Sequence, residues 1–555
     1  MRGAINGPIP DHWTPQCRGR TFRIPHRTPG VRVTSDPSPA DQAGTAVFPT
    51  APAAVSADEQ RLQELGYTQE LARSLSGFSN FAVSFSIVSI LSGCLTLYGF
   101  GMATGGPALI TWGWPLVGLM TLCVGLAMAE ICSAFPTAGG LYFWAAKLAR
   151  HNAPAASWFT GWCNFLGQVA VTASVDYGAA TFTNALLDLR WGFAATAPHT
   201  VAIFAVILLL HGLLNSFGVR LVALFNTVSV WWHLVGVLVI VVALAVVPHH
   251  HASVGFVFGH FANTTGFHSS FYVALLGLLL AQYTLTGYDA SAHMTEETQE
   301  AARSGPRGIV NSILVSLVAG WVLLFGLTFA IQDYAGELAS STGVPPAQIF
   351  LDALGSSGAE ALLLIVIGAQ FFCGMASVTA NSRMVYAFSR DGALPGSQLW
   401  HRIDPRTQTP TNAIWLSTAG AFLFGLPALW NSTAFAAVTS VSVIGLYLSY
   451  VIPVFLRLRQ GEDFERGPWH LGRWSRPIGL IAVGWTGLIT VLFMLPTTSP
   501  IKAGNFNYTS VAITAVLGFA GIWWLASARH WFTGPRVQQD TESHQPITDR
   551  KGADQ

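Results

Sequence analysis

The sequence predicts an all-α polytopic membrane protein, and three observations carry that prediction. Apolar segments near twenty residues long recur along most of the chain. Charges are too scarce to cover a soluble surface. Arginines fall almost entirely on alternate loops. Of 555 residues, 51% are hydrophobic and 10% charged, where ordinary soluble domains carry about 25% charged residues. A soluble chain of this length would form several domains, each needing a polar surface, and this composition cannot supply it.

From the N-terminus, residues 1 to 57 are Pro-rich and polar with Arg2, Arg18, Arg20, Arg23, Arg27 and Arg32. They lack the apolar core of a signal peptide and read as a disordered cytoplasmic tail. Over 58–78 the spacing of Leu62, Leu65, Leu71 and Leu75 predicts an amphipathic pre-helix at the membrane surface. Twelve segments then match the length of a bilayer-crossing helix: 80–104, 107–132, 154–186, 199–218, 221–247, 269–292, 308–332, 359–388, 411–430, 433–456, 477–496 and 508–528. The third exceeds what lipid can cover, so it tilts or protrudes. With the N-terminus inside, fourteen Lys and Arg fall on the inner side and only Arg190 and Lys502 on the outer, a strong positive-inside bias. Both termini are therefore expected in the cytoplasm, with 531–555 as a second disordered tail.

Several function classes are excluded by what the chain lacks. Net charge is +1, which gives no footprint for nucleic acid. The lysines are Lys147, Lys502 and Lys551, and none ends a phosphate-cradling Gly-rich loop. The six cysteines show no CxxC spacing, so neither a zinc site nor a disulfide framework is expected. No HExxH or GxSxG motif supports an enzyme, and no cofactor is implied. His249, His250 and His251, with His260 and His268, lack ordered ligand spacing and read as a polar loop rather than a metal site.

Two segments depart from the lipid-facing pattern. The first contains Ser89-Ile90-Leu91-Ser92-Gly93-Cys94 and runs on through Gly99, Gly101, Gly105 and Gly106; the sixth contains Gln282-Tyr283-Thr284-Leu285-Thr286-Gly287-Tyr288-Asp289. Backbone in hydrocarbon must hydrogen-bond within the protein, so a helix opens there only where it lines a cavity. An opened helix offers N–H groups at a positive dipole end to an anion, and its freed carbonyls suit an ammonium or a metal cation. That combination fits a zwitterion, and paired broken helices in two halves of a chain point to a solute site. Close helix packing at small residues is the competing reading, and it suits Gly99 to Gly106 better.

Four stretches resemble the amino acid–polyamine–organocation superfamily, and within it the amino acid/choline permeases that include 4-aminobutyrate permeases. They are SIVSILSGCLTLYGFGMATGGP, AEICSAFPTAGGLYFWAAKLA, NTVSVWWHLVG and YTLTGYDASAHMTEET. The resemblance implies a leucine-transporter-like fold: a core over 79–460 of two inverted five-helix repeats, about 79–250 and 265–460, followed by two extra helices over 461–530. It implies a secondary transporter working by alternating access, with an amino-acid-like substrate and a co-transported proton or sodium ion. It places the substrate carboxylate at Ser92, Gly93 and Cys94, and the amine near Tyr283, Leu285 and Thr286, with Gly287 allowing the break. Gln168 in the third span, and Gln370, Phe371 and Gly374 in the eighth, complete the lining it implies. Many relatives carry a lysine in the fifth span where this chain has His233, which makes His233 a candidate protonation switch; a neutral packing role is the alternative.

Ionisable residues inside spans are functional candidates by default. Asp176 lies roughly 33 Å along a helix from Pro154 and is expected near the outer end, either as a cation contact or gate or as an interfacial carboxylate paired with a polar neighbour. Asp289 follows the sixth-span break and is expected to close the inner pathway or pair with a base. For Glu296 and Glu297 two readings stand level, ion pairs with Arg303 or loop arginines that lock one state and a solvated loop, and Glu130 should be interfacial. A choline or polyamine carrier, caged by Tyr283, Tyr288 and Phe371, is an alternative, as is a sensor that binds a solute without moving it. Rare lysine with abundant Arg, Ala and Gly points to a GC-rich bacterial genome and hence the bacterial inner membrane.

Overall fold

The computed structural model describes residues 56–536 except Ser341 and Ser432. The expected tails lie outside the described residues apart from 56–57 and 531–536. All regular structure in the described part is helical. α1 (Ala57–Glu64) starts at Ser56, whose hydroxyl accepts the Glu59 N–H, a standard N-cap. An extended stretch leads to the first span, which is split into α2 (Gly77–Val88), α3 (Ile90–Thr96) and α4 (Tyr98–Ala103). Then come α5 (Gly106–Ala134), the short α6 (Gly140–Leu148), α7 (Ala153–Trp191), α8 (Ala197–Ser216), α9 (Val219–Val246) and α10 (Val254–Gly259). The sixth span is α11 (Ser270–Gly277), α12 (Leu279–Thr284) and, after a break, α13 (Ala290–His293). α14 (Ala301–Phe329), the short α15 (Tyr334–Leu338), α16 (Pro345–Arg390), α17 (Ser397–Trp400), α18 (Thr411–Gly425), α19 (Ala434–Gln460), α20 (Ser475–Leu492) and α21 (Thr509–Ala526) complete the order. α16 kinks at Gly355, which has φ 70°.

Among the described residues, ten helical segments are long and apolar enough to cross a bilayer. The third and sixth expected spans are not among the ten. α7 has 39 residues but buries Asn164, Gln168, Thr172, Ser174 and Asp176, because it packs against α6, α8, α16, α18 and α19 and sees little lipid. Hydropathy measures suitability for lipid, and a helix wrapped by other helices has no need of it. The sixth span fails because it is broken into short pieces. Lipid would instead meet the exposed Leu209 and Leu213 of α8, Leu224 and Leu238 of α9, and Ile522 and Leu525 of α21.

The pre-helix differs from its expected place. Leu62, Leu65, Leu71 and Leu75 are each at most 5% exposed. They are buried in the protein and not laid on a membrane surface. Arg73 donates to the carbonyls of Thr295 and Thr298, and Asp58 accepts the N–H groups of Glu300 and Ala301. This segment therefore straps across the end of the helix bundle that also holds Arg536.

Candidate functional site

The first span breaks at Ser89, whose backbone takes φ 26° and ψ 85°. This is three residues before the stretch expected to open. The N–H groups of Ser92 and Gly93 turn back onto the Ser89 carbonyl at 2.9 Å each. The start of a helix leaves its first N–H groups without intrahelical partners, which here are those of Ile90 and Leu91. The sixth span opens over Leu285–Asp289, between α12 and α13. Gly287 sits at φ 98°, and a Cβ there would meet Ile87 Cγ2 at 2.3 Å, so only glycine fits both the backbone and the space. The Leu285 carbonyl accepts from the Tyr447 hydroxyl at 3.1 Å.

The two broken helices meet at Gly93, where a Cβ would lie 2.7 Å from Thr284 Cα. Beside this contact is a closed cavity of about 10 Å³ lined by Ser92, Gly93, Val171, Val175, Tyr283 and Thr286, among others. That is room for about one water, so a larger solute enters only if the walls move. One helical turn further along α3 and α7, at Thr96 and Gly178, a second cavity of about 900 Å³ begins. It widens past Asn184, Thr200 and Asn431 toward the end of the bundle where α16 starts.

These features meet the outcome of comparing the chain with known proteins. A family model described as amino acid permease matches residues 75–517. The chain belongs to the amino acid permease family. It is 46% identical over 493 residues to the amino-acid permease BAT1 of Arabidopsis thaliana, covering 86% of this chain and 95% of that protein. It is 32% identical over 512 residues to the GABA-specific permease of Saccharomyces cerevisiae, covering 90% and 88%. It is 30% identical over 509 residues to amino-acid permease 2 of Neurospora crassa, covering 91% and 94%. The chain is thus an integral membrane transporter of the amino acid permease family and not an enzyme.

In this permease, Ser92, Gly93, Tyr283 and Thr286 line the closed cavity. Cys94, Leu285 and Gly287 adjoin it along the chain. The other expected lining residues point elsewhere. Gln168 donates to Asp289 at 2.8 Å, Gln370 donates to Thr96 at 3.3 Å, Phe371 lies against the His211 ring, and Gly374 faces Asp176. Sequence reasoning missed Val171, Val175 and Thr284 as lining, since nothing in a Val or Thr marks a site.

His233 is fully buried and holds the first-span break. Its Nδ1 lies 2.8 Å from the Ser229 carbonyl, which only accepts, so Nδ1 bears the proton. Nε2 then accepts from the Ser89 hydroxyl at 2.7 Å. Both ring nitrogens are matched by a neutral imidazole, and no carboxylate pairs with it among the described residues.

Asp289 is gripped by Tyr450 at 2.7 Å, Gln168 at 2.8 Å and Asn164 at 3.2 Å. His293 Nε2 lies 3.4 Å from the same carboxylate, and His293 Nδ1 donates to the Ala138 carbonyl at 3.0 Å. Beyond this lies a sealed layer at the end of α16 opposite the large cavity. Glu297 pairs with Arg383 at 2.8 Å and Glu296 with Arg390 at 3.1 Å; of the two expected sources, Arg303 and the loop arginines, Arg303 is not the partner. Arg383 itself is an interior residue of α16, fully buried, and not a loop charge. Asp391 accepts from Tyr67, from Tyr142 at 2.8 Å and from the Arg536 N–H at 3.0 Å. Burial holds the Asp391 carboxyl above its usual range, with Arg390 opposing. Glu130 is buried rather than interfacial, paired with Arg457 at 3.5 Å and bonded to Ser475. Asp176 is also interior: α7 continues fifteen residues past it to Trp191, about 22 Å of helix.

Proposed function

We propose that this permease is a secondary active transporter that moves an amino acid or a 4-aminobutyrate-like solute by alternating access, coupled to an ion gradient. The observation that carries this is the meeting of two broken helices, at Ser89 and at Leu285–Asp289, around a closed cavity one helical turn from an open one. The N–H groups at the start of α3 suit the substrate carboxylate, and the opened backbone of the sixth span with Tyr283 suits the amine. Twelve spans in two inverted five-helix repeats plus two helices account for the order of elements, with α7 and the broken sixth span added to the ten apolar helices. With both termini cytoplasmic, as the loop arginines favour, the large cavity faces outward and the arginine–glutamate layer closes the inside. In a bacterium the membrane would be the inner one. Ser92, Gly93, Cys94, Tyr283, Leu285, Thr286 and Gly287 form the proposed site, and Asp289 and Glu296 the inner gate. Gln168, Gln370, Phe371 and Gly374 support it from behind.

Choline is the weaker reading, because the aromatic cage it needs is not assembled: Tyr288 packs at a tilt against Tyr450 and Phe371 against His211. Purified protein in sealed liposomes should take up labelled 4-aminobutyrate or a labelled amino acid against its gradient. Binding with no net uptake of any of these would sink the transport reading in favour of a sensor.

A further inference from the structure

One buried acid–base pair is used by neither the closed cavity nor the sealed layer. Asp176 on α7 and His211 on α8 are both 0% exposed, and His211 Nδ1 lies 3.1 Å from Asp176 Oδ2. Asp176 Oδ1 and His211 Nε2 have no hydrogen-bond partner among the described residues. The third wall is Gly374 of α16. A Cβ there would lie 1.7 Å from Asp176 Oδ1 and 2.6 Å from His211 Cε1. The carboxylate and the imidazole thus occupy the space that any larger residue would fill. Phe371 covers the imidazole from the other side, with ring centroids 4.5 Å apart.

The charge balance of this pair is informative. With one proton shared it is neutral overall, whether written as acid and imidazole or as carboxylate and imidazolium. Without that proton it is a buried anion with a single N–H donor for its two oxygens. A buried charge persists only when paired and hydrogen-bonded, and neither Arg nor Lys is within ion-pair distance of Asp176 among the described residues. The titratable groups facing it are Cys373 on α16, whose thiol donates to the Ile87 carbonyl at 3.2 Å, and Tyr283 on α12, whose hydroxyl donates to Ser174 at 3.0 Å. On the other packed elements, His233 of α9 is bonded to Ser89 and Ser229, Tyr447 of α19 to Leu285, and Tyr450 to Asp289. Cys94 on α3 is buried and α18 carries no ionisable residue.

The position ties the pair to the transport path. Val175, one residue before Asp176, lines the closed cavity, and Tyr177 and Gly178 just after it line the open one. Ser174 accepts the hydroxyl of Tyr283 at 3.0 Å. We propose that Asp176 and His211 together form the binding site of one co-transported proton, loaded from the open cavity and placed directly behind the wall that separates it from the solute site. This rests on the transport reading above and assigns the driving ion and its seat. A proton arriving from water neutralises the pair, and its departure to the opposite side restores the anion.

The test uses the full-length protein in liposomes with labelled 4-aminobutyrate and labelled alanine as probes, in two modes. In the wild type an acidic outside should raise initial uptake about tenfold over equal pH, the scale of an ordinary coupling free energy. Asp176→Asn keeps the shape and the His211 hydrogen bond; His211→Gln removes the imidazole. Both should lose that stimulation while keeping solute counterflow at equal pH within about twofold. Wild-type stimulation in both variants overturns the proposal. So does loss of counterflow in Asp176→Asn with unchanged melting, which would put Asp176 in the solute site, and so does a sodium gradient replacing the proton gradient. Proton binding is also read with no solute present: acid-minus-base infrared difference spectra should lose one carboxyl or imidazolium band in Asp176→Asn. An unchanged spectrum overturns the proton site even if both probes are carried. Failure of the wild type to move either probe, with the band present, faults the transport reading alone.

Discussion

Gly93 and His233 each hold one geometry that the surrounding helices require. At Gly93 a Cβ would meet Thr284 Oγ1 at 2.6 Å and the Thr284 Cα at 2.7 Å, and the backbone atom cannot rotate away. Gly93→Ala should force α3 from α12 and cut initial uptake at least about tenfold, since misplacing a binding group by a fraction of an ångström costs that much. Rates in liposomes at matched protein levels check this. His233 is a different case. Removing its ring takes away the acceptor of the Ser89 hydroxyl in a buried site, leaving that oxygen only the Ser92 N–H, at a cost of about 1–3 kcal/mol. His233→Ala should therefore melt lower while the pH profile of its residual uptake keeps the wild-type shape. A flattened profile would instead make His233 the titrating switch.

At the scale of elements, the sealed end of the bundle rests on charges that cannot be removed singly. Arg383 and Glu297 are at most 1% exposed, and Arg383→Ala leaves a buried carboxylate alone, a loss of about 3–5 kcal/mol visible in thermal unfolding. Asp391 joins the strap, α6 and the C-terminal segment through Tyr67, Tyr142 and Arg536. Asp391→Asn should raise amide hydrogen exchange over residues 57–76, with α5 unaffected. The opposite end has its own titrating element. Glu337 on α15 is fully buried, and its carboxylate accepts the Gln332 N–H at 2.8 Å. Burial raises its pKa from 4.5 to about 7, with those backbone N–H groups opposing and Asp352 and Asp333 adding to the rise. The sign follows from the raised value: docking of α15 is strongest below pH 4.5, weakens as pH climbs toward 7, and is constant above. Exchange over residues 330–340, corrected for intrinsic rate, should be faster at pH 8 than at pH 5, and Glu337→Gln should abolish the difference.

For the whole molecule, one end of the bundle is open and the other sealed, and the proposed topology places the open end outside. Ala195 lines the open cavity and is exposed, and Arg406 is exposed in the α17–α18 loop near the sealed end. In intact cells, Ala195→Cys should react with an impermeant maleimide above the native background and Arg406→Cys should not. The reverse pattern would invert the proposed topology. Charge bias is a global signal, so it survives the loss of Arg383 from the loop count.

Membrane residence, the helical fold and the two interrupted segments were legible in the chain because each depends on local composition: apolar length, scarce charge, and Gly, Ser and Thr where lipid would require Leu. Gly287 was legible for the same reason, since its neighbours are polar at mid-span. What the chain could not reveal is rotation about each helix axis. Successive residues turn by about 100°, so neighbours in sequence face different partners. Depth along the axis matters as well: Gln168 and Val171 share a face of α7 one turn apart, yet one holds Asp289 and the other lines the closed cavity. Phe371 and Gly374 were placed at the solute site but turn to His211 and Asp176. Even the break in the first span fell at Ser89, because a histidine 144 positions away accepts its hydroxyl. Hydropathy determined that there would be a membrane bundle; tertiary packing alone decided which buried acid meets which base.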